Sequence, residues 1–179
     1  MNNFIKTEII SKINGYSKNE DGTFQIQSII LDSKKGLIKN TIKIHKDIPI
    51  EQLESLVGKT IKVLQVEEYK KGYKSFYSGK DFKLVKNEND IDIFDVKREI
   101  ILKIDNLVKV GKNGEDTKIQ SLVSNGTRKD LFELKLKNIN ISKVLTLKNK
   151  EVVISGVNIA KIENMGTFYS STVLPTIKQ

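Results

Sequence analysis

The chain has 179 residues and a mass of 20.3 kDa, room for one ordinary domain or two small ones. Its 31 Lys and Arg, of which only Arg98 and Arg128 are Arg, against 22 Asp and Glu leave a net charge of +9; this favours an anionic partner, although the Ile- and Asn-rich composition ascribes part of the excess to AT-rich codons. With no Cys there is no disulfide framework, Cys-ligated zinc, iron–sulfur cluster or thiol nucleophile, and without a signal-like or membrane-length apolar run the protein is expected in the cytoplasm, away from membranes.

Residues 5–13 alternate Ile5, Thr7, Ile9, Ser11 and Ile13 against Lys6, Glu8, Ile10 and Lys12, the period of two that a half-buried strand requires. A polar turn bracketed by Asn14-Gly15 and Asp21-Gly22 follows, then a second strand over 23–31, a connection at Ser33-Lys34-Lys35-Gly36 and a third strand. In that third strand Ile38, Ile42 and Ile44 share one face, and Lys39, Thr41, Lys43 and His45 the other. Residues 47–58 change period, with Pro49 in the first turn, apolar Ile50, Leu53 and Val57, and Gly58 just past the end, which predicts a short amphipathic helix. A fourth strand is expected over 60–66, a loop over 69–74 and a fifth strand over 75–85.

The acidic, Asn-rich start of 87–96 reads as a linker, while Ile91, Ile93, Phe94 and Val96 are too apolar for a free tether. Beyond it the order repeats: strands over 99–106, 118–124 and 130–137, a short helix over 140–147, and strands over 151–160 and 168–177. Ile26-Gln27-Ser28-Ile29 returns as Ile119-Gln120-Ser121-Leu122, and Ser75-Phe76-Tyr77-Ser78 as Thr167-Phe168-Tyr169-Ser170. The expected domains are therefore 1–86 and 97–179, joined by 87–96. Asn149 replaces Gly58 at the helix end, where Asn is the next best residue for left-handed backbone.

Three strands, a short helix and two strands is the order of the OB-fold, a partly open five-stranded barrel. The expected fold class is all-β, two tandem five-stranded OB-like barrels, each with a short helix between strands three and four. In this order and repeat the chain resembles tandem OB-fold single-stranded-DNA-binding proteins of the phage and plasmid helix-destabilising type. It departs from cellular bacterial single-strand-binding proteins in ending Thr176-Ile177-Lys178-Gln179 instead of in an acidic tip. The resemblance implies single-stranded DNA, or RNA, as partner, no cofactor, and coating with little sequence preference. A small up-and-down or SH3-like barrel is the alternative for each half, and a protein-interaction module of a phage or mobile element is the alternative function.

Single strands are held by cations that track phosphates and by aromatic rings on which bases stack, at ~1–3 kcal/mol per base. The candidates are Tyr69, Lys70, Lys71, Tyr73 and Lys74 in the four-five loop, Tyr16 and Lys18 in the one-two loop, and Lys39 and Lys43 on strand three. In Phe76-Tyr77 and Phe168-Tyr169 neighbouring strand residues face opposite ways, and Phe is the more often buried, so Tyr77 and Tyr169 are expected to point outward. The second half lacks aromatics in its four-five loop; there Arg98, Lys103, Lys135 and Lys137 are expected to neutralise phosphate, or that half pairs with another copy of the protein. An enzyme is not expected. His45 is the sole His, Gly58-Lys59-Thr60 follows a helix instead of preceding one as a phosphate loop must, and the 88–95 carboxylates lack the Gly of a calcium loop.

Overall fold

The computed structural model describes residues 4–72, 74–125 and 127–179. Among them the chain is all-β, with one α-helix and three sheets. It divides into two compact units, Thr7–Lys97 and Arg98–Gln179 with Met1–Lys6. The ends of the two halves are thus exchanged relative to a division at 86 and 97. Phe94 and Val96 pack on the core of the first unit, and Phe4 and Ile5 on that of the second. Residues 87–93 are held down as well: Lys12 pairs with Asp90 at 3.0 Å, the Lys12 amide donates to the Ile93 carbonyl, and Asn87 Nδ2 donates to Thr60 Oγ1.

In the first unit the strands are β1 (Ile5–Lys12), β2 (Gly15–Lys18), β3 (Phe24–Asp32), β4 (Gly36–Ile44), β5 (Thr60–Leu64), β6 (Glu67–Lys71), β7 (Lys74–Gly79) and β8 (Asp81–Val85), with helix α1 (Ile50–Leu56) between β4 and β5. A five-stranded sheet runs β2-β3-β4-β7-β6, its β4–β7 contact parallel with Ile42 beside Tyr77. β1 pairs antiparallel with β5, and β5 with β8. Alternation in β1, β3 and β4 buries Ile9, Ile13, Phe24, Ile26, Ile42 and Ile44. The residues expected as one long fourth strand, a loop and a long fifth strand are shorter strands instead, broken at Gln65 (φ +52) and Lys80. Of the residues expected as a loop, Tyr69, Lys70 and Lys71 belong to β6 and Lys74 to β7, with Lys71 opposite Lys74.

Helix α1 has Pro49 at its N-cap and ends before Gly58 (φ +82). It buries Leu53 and Leu56, one i,i+3 pair, and leaves Ile50 and Val57 exposed; Val57 is already extended, so the expected Ile50–Leu53–Val57 stripe does not form.

The second unit contains β9 (Phe94–Lys103, from Arg98 onward), β10 (Asn106–Val110), β11 (Asp116–Asn125), β12 (Arg128–Leu136), β13 (Glu151–Ile154), β14 (Asn158–Ile162), β15 (Gly166–Ser171) and β16 (Thr176–Ile177). Its five-stranded sheet runs β10-β11-β12-β15-β14, again with a parallel β12–β15 contact, Leu134 beside Tyr169. In place of the expected second helix there are two 3₁₀ turns, Ile141–Lys143 and Leu145–Leu147. Asn140 accepts from the Ser142 amide at 3.0 Å, and Val144 and Leu147 go into the core. The segment lacks a proline at its start and has Thr146 and β-branched Ile141 and Val144 within it, so i→i+3 bonds suffice to seat the two apolar anchors. Asn149 takes φ +65 where the first unit has Gly58.

The two aromatic dipeptides are oriented opposite to expectation. Phe76 and Phe168 are exposed, whereas Tyr77 and Tyr169 lie against the two cores. The phase is set at the strand end. Gly79 faces inward so closely that a Cβ there would collide with Val63 Cγ1, and Ser171, its counterpart, is fully buried. Two residues earlier the side chain must face inward too. A tyrosine suits that place because its ring joins the core while its hydroxyl stays near water. Tyr77 meets Phe94 at 5.7 Å between ring centroids, and Tyr169 meets Phe132, which in turn meets Phe4.

Candidate nucleic-acid interface

The alternation that fills the first unit's core fixes what its five-stranded sheet shows to solvent. On β3 and β4 the outer positions are Gln25, Gln27, Ile29 and Leu31, opposite Lys43, Thr41, Lys39 and Leu37. On β7 and β6 they are Lys74, Phe76 and Ser78, opposite Lys71, Tyr69 and Glu67. Tyr69 stands directly opposite Phe76, ring centroids 6.5 Å apart, and the residues are 67% and 46% exposed. Leu31 and Leu37, paired at the tip of the β3–β4 hairpin, are 78% and 76% exposed. Two rings and three aliphatic side chains on one outer sheet face are more apolar surface than scattered exposure explains.

Apart from Glu67, which Lys80 approaches at 3.9 Å, the charges on this face are cationic and largely unpaired. Among the described residues, Lys39, Lys71 and Lys74 have no ion pair within 4.0 Å. Lys43 pairs with Asp21 at 3.2 Å. Hydrogen bonds from the Thr23 hydroxyl and amide, then from Lys43, pull the Asp21 carboxyl down to about 2. Lys70, on the other side of β6, lies 4.0 Å from Glu68.

The remaining sequence candidates lie elsewhere. Tyr16 packs on the core with its hydroxyl donating to Glu54 Oε1 at 3.4 Å; burial, then the nearby carboxylate, raises that hydroxyl above its ordinary range. Lys18 bonds Asp47 and the Ile48 carbonyl near the start of α1. Tyr77 and Tyr169 face inward, which corrects their assignment as outward rings. Tyr73 lies outside the described residues. In the second unit Lys135 pairs with Asp116 at 2.7 Å and Lys103 approaches Asp105 at 3.8 Å. Lys137 is exposed just beyond β12, and Arg98 sits on β9 in phase with buried Ile100 and Leu102.

The structure thus brings Lys39, Lys43, Tyr69, Lys71 and Lys74 together and adds Phe76, Ile29, Leu31 and Leu37, which sequence reasoning missed. The signal for Phe76 was Gly79: an inward glycine at a strand end sets the phase three residues back.

The same face of the second unit is built differently. Phe168 is 45% exposed but stands opposite Ala160, and Leu131 occupies the position of Lys39, opposite Leu122. Glu133 replaces Thr41; it accepts from Gln120 at 2.7 Å and Lys118 at 3.3 Å, and these bonds, the amide's first, lower its carboxyl below the ordinary range. On the second face Lys118 and Lys135 are therefore engaged by its own acids, Glu133 and Asp116.

No protein-family model matches this chain, and no curated protein matches it. Among solved structures, it is similar to a deletion mutant of the single-stranded DNA binding protein from Thermus aquaticus, at 10% identity and a TM-score of 0.41, over 98% of this chain and 94% of that one. No helix among the described residues is long and apolar enough to cross a membrane.

Proposed function

We propose that the protein binds single-stranded nucleic acid, most simply single-stranded DNA, through the outer face of β2-β3-β4-β7-β6, without catalysis and with little sequence preference. The observation that carries the reading is the exposed Tyr69–Phe76 pair flanked by Lys39, Lys71 and Lys74. Rings supply sequence-tolerant stacking because every base has a π-face, and unpaired lysines supply phosphate contacts. Gln25, Gln27 and Thr41 between them offer both donors and acceptors to base edges, so no one base is preferred.

An OB-like barrel in each unit is part of the same proposal. It is supported by the parallel contacts β4–β7 and β12–β15, and in the first unit by β2 pairing with β3 while β1 pairs with β5. In that fold the face formed by strands two and three is the one used for oligonucleotides.

Fluorescence anisotropy of a labelled oligo-dT tests the reading. At ~50 mM salt, where phosphate contacts are least screened, the wild-type chain binds, and affinity falls as salt rises. Absence of binding under that condition refutes it.

A further inference from the structure

β6 is the last strand of the first unit's five-stranded sheet, and among the described residues no backbone group bonds to its outer side. Such an edge offers a row of N–H and C=O groups that can template another strand. β6 reads Glu67-Glu68-Tyr69-Lys70-Lys71, a sequence that is its own complement when turned end to end. We propose that two copies of the chain pair antiparallel through β6, on a two-fold axis through Tyr69. Glu67 then faces Lys71 of the second copy, Glu68 faces its Lys70, and the two Tyr69 rings lie side by side.

The register follows from charge. Directly opposite residues on one face interact, and like charges so placed are destabilising. Sliding the strands by two residues sets Glu68 against Glu68 in one direction and Lys70 against Lys70 in the other, so only the Tyr69-centred pairing has every charge matched. Glu67, Tyr69 and Lys71 are all exposed and available. Glu67 and Lys71 are the more open of the two pairs: Lys80 lies 3.9 Å from Glu67, whereas Glu68 already accepts from Ser75 Oγ at 2.8 Å and lies 4.0 Å from Lys70. An isologous contact of this kind closes as a dimer and does not propagate. The matching edge of the second unit, β14, reads Asn158-Ile159-Ala160-Lys161-Ile162 and has no such complementarity.

This inference does not depend on nucleic acid, and its test contains none. Sedimentation equilibrium of the full chain is expected to give a mass rising with concentration toward twice 20.3 kDa. Glu67→Lys sets lysine against Lys71 and Lys71→Glu sets glutamate against Glu67, so each variant alone stays at 20.3 kDa. Their equimolar mixture restores both matches and recovers the doubled mass. Circular dichroism of each variant checks that it is folded, and Glu67→Gln with Lys71→Gln replaces the reversals if either is not, with a reduced doubled-mass fraction expected. A wild-type chain that stays at 20.3 kDa, variants that associate as it does, or a reversed pair that fails to recover on mixing would overturn the proposal.

Discussion

The outer faces of the two five-stranded sheets follow one repeated pattern and carry different side chains. At matching places the first unit has Tyr69 opposite Phe76, Thr41 opposite Gln27, and Lys39; the second has Ala160 opposite Phe168, Glu133 opposite Gln120, and Leu131. The cores beneath them share one pattern, each with an inward Tyr one place after an outward Phe, although Phe24 of the first is matched by Thr117 and Phe132 of the second by Asn40. The chemical character of each face is thus set by a few outward positions that the core does not constrain. Net charge is a poor guide to it: the 93–179 half carries the larger cationic excess, yet there Lys135 and Lys118 are engaged by Asp116 and Glu133.

The comparison breaks most decisively at the rings. Tyr69→Ala and Phe76→Ala are each expected to weaken oligo-dT binding by ~1–3 kcal/mol, roughly 5- to 150-fold, while Phe168→Ala costs less than the ~1 kcal/mol floor of a base stack; anisotropy titrations read both.

Next come the two inward strand ends. Gly79→Ala forces a Cβ against Val63 and is expected to lower unfolding stability by about 1–3 kcal/mol. Ser171→Ala has space for its Cβ and loses the hydrogen bonds to the Ser155 carbonyl and from the Val173 amide, about 1 kcal/mol each. Urea denaturation compares them.

Smaller still is the salt response. Replacing Lys39, Lys71 or Lys74 by Ala should reduce the slope of log affinity against log salt by about 0.7 each, and Lys135→Ala should leave it unchanged because Asp116 already holds that charge.

The smallest effect is acid sensitivity. Asp21 has its carboxyl lowered from 3.8 to about 2 in the folded chain, so it stabilises the fold above pH 4, and that contribution is lost as pH falls through about 2. The stability gap between wild type and Asp21→Asn, present at pH 5, should close on acidification, as followed by urea midpoints across that range.

Strand phases in β1, β3 and β4 and the two-fold repeat were legible because Ile9, Ile13, Phe24, Ile26, Ile42 and Ile44 alternate with mostly polar residues there, Ile10, Ile29, Leu31 and Leu37 being the exceptions. β6 was not, since Glu67–Lys71 is charged on both faces and its strand character comes only from pairing with β7. The direction of Phe76 and Tyr77 was not either: residue type favours a buried Phe, but the close approach of Gly79 to Val63 overrides it. For the same reason the candidate site was half legible. Its lysines and Tyr69 announced themselves by composition and the Leu31–Leu37 pair follows from the legible phase of β4, while Phe76 depends on a phase fixed by the packing of Gly79. The exchange of Phe4 and Phe94 between the halves left no local trace, since each ring finds its partner, the Phe132–Tyr169 cluster or Tyr77, far along the chain.

Ultraviolet cross-linking of oligo-dT to the intact protein, followed by mass spectrometry of the nucleotide-bearing peptides, tests the asymmetry of the two faces most directly. The expected result is cross-linking concentrated on the β6–β7 hairpin, at Tyr69 and Phe76. Cross-links concentrated instead on β14–β15 around Phe168, with the β6–β7 hairpin unmodified, would contradict it.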